Sequence, residues 1–189
     1  VTGTLLFADE QHVSGAHSLP IPKGVEVSAV FGGPGDCYRY SLEWSWAPRK
    51  TLLGLLMNPA TASKHVADRT LLWLYRWSER NGFGRLIVCN ADAYRCQDQA
   101  RLAEIDDPCG PSNLGHIIEA AGRADAIAIG YGQPKVRAVH DHGPRMVRAL
   151  RAAGHELHVW GLAKNGTPKH PLYLPSDTPL TIWKDPHHD

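Results

Sequence analysis

Residues 51–70, TLLGLLMNPATASKHVADRT, begin as an unbroken apolar run, stop at Asn58-Pro59, and pass through small and polar residues into a new apolar stretch. An apolar run without alternation reads as a strand covered on both faces. Three more runs of this kind follow: RLIVCN at 85–90, AIAIGY at 126–131 and ELHVWG at 156–161. Between them lie segments with helical spacing, RTLLWLYRWSERNG at 69–82, SNLGHIIEAAGRA at 112–124 and GPRMVRALRAAG at 143–154. The first helix gathers Leu71, Leu72, Leu74, Tyr75 and Ser78 around one face and stops at Gly82. Ser112 is the expected N-cap of the second, and Gly154 closes the third. Strand and helix in strict alternation build right-handed parallel crossovers.

Upstream, VEVSAVF (25–31) and YRYSLEWSW (38–46) alternate apolar and polar residues on either side of GGPGDC. That pattern predicts two antiparallel strands joined by a glycine-rich turn, with one polar face. The expected fold is therefore α/β: a three-layer α/β/α arrangement with a four-stranded parallel core sheet and an N-terminal antiparallel hairpin. A chain of 189 residues suits one domain. Residues 1–24, broken by glycine and proline, read as a wrapping segment, 25–183 as a single α/β domain, and 184–189 as a frayed tail.

Hydrophobic residues at 43 % and charged residues at 21 % are those of an ordinary globular protein. No apolar run approaches the roughly 20 residues that cross a bilayer, so the expectation is a protein without membrane partners. The formal net charge of +1 neither favours nor excludes nucleic acid. Cys37, Cys89, Cys96 and Cys109 form no C-x-x-C pair, and reduced thiols in a cytoplasmic protein are expected.

Loops that follow the carboxyl ends of parallel strands converge on one crevice. Here they read NPATASKHVAD, NADAYR, YGQPKVR and GLAKNGTPKHPLYLP. Pro59 keeps Asn58 out of the α region, so the amide of Asn58 either caps the turn or holds a water or substrate atom. Asp68 is placed to cap the helix that starts at Arg69, and a catalytic carboxylate is its second reading. Asn90 ends the second strand and can offer donor and acceptor to a nucleobase edge; beside it stand Tyr94 and Arg95, the latter suited to a phosphate or to a salt bridge with Asp92 or Asp98. The last loop supplies Trp160, Lys164, Lys169 and His170, the imidazole being able to donate to a developing anion or to cap local backbone. Arg137, Arg145, Arg148 and Arg151 mark either a solvated helix face or a surface that tracks phosphates. His140 and His142, like His187 and His188, read as solvated rather than as metal ligands, and neither metal nor organic cofactor is expected. No G-x-x-x-x-G-K-[ST], G-x-G-x-x-G or G-x-S-x-G is present, which removes nucleoside triphosphatases, dinucleotide oxidoreductases and α/β-hydrolases.

The ordered set LMNPATA, D-R-T, NADAYR, DDPCGPSN and GTPKHPLYL, from about Tyr38 to Leu174, resembles the bacterial and phage family DUF1643. A second resemblance is to the uracil-DNA glycosylase superfamily. GLLMNPATA is similar to the G-x-N-P-G first motif of its mismatch-specific members, and KHPLYL is similar to the H-P-S-P-L last motif. This second resemblance implies a DNA or nucleotide partner and base excision without a cofactor. Asn58 would position the attacking water, Asn90 would read the base, and His170 would stabilise the departing base anion; Pro59, Tyr94, Arg95, Trp160, Lys164 and Lys169 would surround the substrate. Ala60 replaces the glycine of the first motif and Leu172-Tyr173 replaces the Ser-Pro of the last. Those departures imply a different substrate, such as a modified base or a free nucleotide, with a noncatalytic binding module as the rival from another class.

Overall fold

The computed structural model describes residues 19–59, 66–96 and 99–184. The wrapping expected of 1–24 is visible only from Leu19, which exchanges backbone hydrogen bonds of 2.9 and 2.8 Å with Ala67. Residues 60–65 of the first loop and the tail after Lys184 lie outside the described residues.

The strands are β1 (Glu26–Gly32), β2 (Tyr38–Ser45), β3 (Lys50–Leu56), β4 (Phe83–Asn90), β5 (Ala126–Ile129), β6 (His158–Val159) and β7 (Thr181–Ile182). The helices are α1 (Arg69–Arg80), α2 (Asn113–Gly122) and α3 (His142–Ala152). All seven strands form one sheet in the order β1-β2-β4-β3-β5-β6-β7. β3 runs parallel to β4 and β5, and β5 runs parallel to β6; the β1–β2, β2–β4 and β6–β7 pairs are antiparallel. The mixed α/β class expected from the alternation is the class observed.

Side chains alternate across the buried strands, so each face collects its own core. Leu52, Leu86, Val88 and Ala128 pack with Leu71, Leu74 and Trp77 of α1. Leu53, Leu55, Ile87, Ile127 and Ile129 pack with Ile117 of α2 and Met146 of α3.

Two details differ from the sequence reading. β2 lies inside the sheet between β1 and β4, and its residues Arg39 to Leu42 are buried, so the hairpin has no continuous polar face. The reason is tertiary: Tyr40 stacks on His116 of α2 with ring centroids 4.7 Å apart, and Leu42 joins the α1 core. Ser112 holds the N-cap position of α2 as expected, but its side chain makes no capping bond. The tie at the start of α2 is instead Asn113, whose buried amide donates to the carbonyls of Asn90 (2.8 Å) and Ala91 (3.1 Å) and fastens the helix to the end of β4.

The chain between β2 and β3 folds tightly over the start of β4. Trp46 and Ala47 both donate to the Gly84 carbonyl, and a Cβ on Gly84 would lie 2.2 Å from the Ala47 carbonyl oxygen. Backbone, unlike a flexible side chain, cannot move aside locally. Gly84→Ala is therefore expected to destabilise the fold by about 1–3 kcal/mol, read as a lower midpoint in urea with an unchanged slope.

Candidate functional site

A crevice of about 750 Å³ opens at the carboxyl ends of β3, β4 and β5. Its walls include Asn58, Asp68, Asn90, Lys169 and His170, five of the residues singled out from the sequence, together with Arg39, Tyr131, Gln133, Lys135 and Tyr173.

Arg39 enters the crevice because β2 contains a bulge. Val30 pairs with Ser41 while the next residue, Phe31, pairs with Arg39, so Tyr40 is an extra residue in the ladder. A bulge reverses the alternation beyond it. Tyr40 consequently turns to α2, and Arg39 turns to the α1 face, where its guanidinium donates to Asn90 Oδ1 at 3.0 Å. Arg39 is 3 % exposed. Burial pulls its pKa down to about 10, opposed by the negative charge of Asp68, so it stays cationic at neutral pH.

Asn90 lines the crevice with its side-chain carbonyl accepting from Arg39. The buried guanidinium gives this end of the crevice a positive charge that complements carbonyl or anionic oxygens.

Asp68 caps α1 as expected and also lines the crevice. One carboxylate oxygen accepts the Leu71 N–H at 2.8 Å as the N-cap of α1, and the residue also lines the crevice, where its charge acts on Arg39 and His170. Asn58 follows β3 by two residues rather than ending it. Its amide donates to the Cys96 carbonyl at 2.8 Å, while the Cys96 N–H donates to the Pro59 carbonyl at 3.3 Å. Pro59 is buried beneath this double tie and does not reach the crevice wall.

His170 sits at the N-cap of a short 3-10 turn, Pro171–Tyr173. Its Nδ1 accepts the Leu172 N–H at 3.3 Å. Desolvation lowers its pKa to about 4, with the charge of Asp68 acting the other way. The ring is therefore neutral at pH 7, and because Nδ1 is the acceptor, the proton resides on Nε2.

The remaining sequence candidates lie elsewhere. Trp160 is 4 % exposed and packs edge-on against Trp73 and Trp77 in the α1 core. Tyr94 meets Tyr38 edge-on, and Arg95 lies over the Phe31 ring and donates to the Asp36 carbonyl. Lys164, Arg137, Arg145 and Arg148 are exposed and outside the crevice. Arg148 is paired with Asp141 at 3.1 Å, and Arg151 lies over the Trp183 ring.

His142 is a correction. It is half-buried, and its Nδ1 is 2.5 Å from Asp92 Oδ1, which also accepts from the Cys109 thiol at 3.5 Å. Desolvation raises the pKa of Asp92, against the attraction of His142. No local pattern joins these residues, because they come from the end of β4, the loop before α2 and the start of α3.

Arg39 is the buried crevice residue that the sequence reading does not single out. Its signal was an arginine in a strand, which alternation assigned to solvent; the bulge that reverses it is not written in the residue types.

The sequence model of the family described as "Protein of unknown function (DUF1643)" matches residues 39–172. No curated protein and no solved structure matches the chain.

The neutral imidazole has a measurable consequence for stability. His170 titrates near 4 when folded and near 6.5 when free, so between those values the unfolded chain binds more protons. Its contribution is fully present above about pH 6.5 and is lost as the pH falls toward 4. Denaturation midpoints measured across this window should fall less steeply in His170→Gln than in the wild type; an identical slope would contradict the desolvated neutral ring.

Proposed function

We propose that this chain, which belongs to the DUF1643 family, is a uracil-DNA-glycosylase-like protein that takes a nucleobase or nucleotide into the strand-end crevice and hydrolyses its N-glycosidic bond. The observation that carries the proposal is the neutral His170, with its proton on Nε2, in the same crevice as Asn58, Asp68 and Asn90. The parallel run β4-β3-β5-β6, with the first of the four at an inner position, supports the glycosylase-like reading of the core.

In this reading a water attacks the sugar carbon as the bond to the base breaks and the electron pair leaves with the base. Nε2–H of His170 donates to the oxygen on which that negative charge develops, a role that a neutral donor performs without first losing a proton. Asn58, held through its amide nitrogen, orients the water, and the Asp68 carboxylate receives its proton and faces the positive charge that grows on the sugar. Asn90 and Arg39 supply donors to carbonyl oxygens of the base.

A free nucleotide is the second substrate reading, favoured by Arg39. A buried cation suits a phosphate as well as a base carbonyl, and the crevice volume falls within the range of about 300–1,000 Å³ that encloses whole small ligands. The exposed arginines of α3 bear on the same choice: Arg148 is already paired with Asp141, which weakens the case for a DNA-tracking face.

The test is incubation of the purified protein with uracil-, mismatch- and modified-base oligonucleotides, single- and double-stranded, and separately with free nucleotides. Abasic sites and released bases are scored. Release is expected, with His170→Ala reducing it roughly 10²–10³-fold, the scale of losing one donor to a developing anion. Release from nucleotides but not oligonucleotides would select the second substrate. Binding without any release, equally strong in Asn58→Ala and His170→Ala, would overturn catalysis in favour of a binding module.

A further inference from the structure

We infer that Asp92, Cys109 and His142 form a binding site for a divalent transition-metal ion of the zinc class, behind the crevice and independent of the reaction proposed for it. Their ligand atoms all lie within 4.8 Å of one another. A tetrahedral ion with bonds of about 2.0–2.3 Å places its ligand atoms roughly 3.3–3.8 Å apart. The Sγ to Oδ1 distance of 3.5 Å already fits, and the 2.5 Å approach of His142 Nδ1 to Asp92 opens to that range by small side-chain rotations.

Asp92 provides the second, independent observation. It is fully buried, and its Oδ2 has no hydrogen-bond partner among the described residues. A buried carboxylate oxygen without a partner is costly, and hydrogen bonds to Oδ1 from two neighbours do not relieve it. A metal ion bound by both oxygens of this carboxylate supplies Oδ2 with its missing partner.

The donor set also selects the ion. One nitrogen, one sulfur and one carboxylate oxygen are ligands of zinc-like ions rather than of calcium or magnesium, which prefer oxygen alone. Thiolate and carboxylate together balance the dication, with Arg145 the nearby positive group. Binding releases the thiol proton of Cys109, while the imidazole of His142 ligates through Nδ1 in its neutral form with its proton on Nε2. His142 is the partly exposed member, so the fourth position faces solvent and takes water.

The site would brace the crevice from behind. Asp92 donates its backbone N–H to Met57, and Gly143, next to His142, packs on the Tyr131 ring; Met57 and Tyr131 both line the crevice.

The experiment is titration of the chelator-treated full chain with Co²⁺, read by sulfur-to-cobalt charge-transfer absorption, followed by Zn²⁺ displacement. One saturable equivalent is expected. Cys109→Ser should lose the charge-transfer band, while Cys37→Ser, at the half-buried thiol, should keep it. Zn²⁺ at a hundredfold excess over Kd should raise the wild-type Tm by roughly 5–10 °C, and should leave the Tm of His142→Gln, with folding verified by circular dichroism, unmoved. Absence of saturable binding to the wild type, or a band that survives Cys109→Ser, would overturn the site.

Discussion

Arg39, 3 % exposed on the second strand of a seven-stranded sheet, constrains its whole surroundings. Taking that charge out of water is expensive, and it is tolerated only where hydrogen bonds and opposite charge replace the lost hydration. The bulge at Tyr40 aims Arg39 to one side, Asn90 at the end of β4 accepts from it, and the carboxylate of Asp68 offsets its desolvation. Three separate parts of the chain must therefore be in place together. The bulged strand, the end of β4 and the start of α1 are the elements that form the floor of the crevice.

The same economy of parts recurs around the rim. Asp68 ends the loop by capping α1 and also turns its charge toward Arg39 and His170. His170 caps a 3-10 turn through Nδ1, and that bond determines which nitrogen keeps the proton. Asn58 is clamped to Cys96. In each case one local hydrogen bond fixes a side chain that also lines the crevice.

Two histidines show how far environment outweighs residue type. His170 is desolvated with only a distant carboxylate to favour its cation, and burial holds it neutral. His142 meets the carboxylate of Asp92 directly at 2.5 Å. Both lie in segments that read alike as polar loop or helix start, and only the groups brought beside them distinguish a donor in a crevice from a member of a buried cluster.

Apolar runs without alternation, helical spacing between them and the glycines that follow α1 and α3 determined the α/β class and most element positions, because burial on two faces, on one stripe or at a positive φ each restricts which residue types a position accepts. They also determined that Asn58, Asp68, Asn90, Lys169 and His170 would stand near strand ends, where the crevice forms. Tertiary structure alone decided that Trp160 would be core and that Arg148 would pair with Asp141. It alone decided that Arg39 would turn inward and that His142 would meet Asp92 and Cys109. The reason is physical: periodicity records whether a position is buried, whereas a bulge, a charge partner and a three-residue cluster depend on which distant segments meet, and no local pattern carries that.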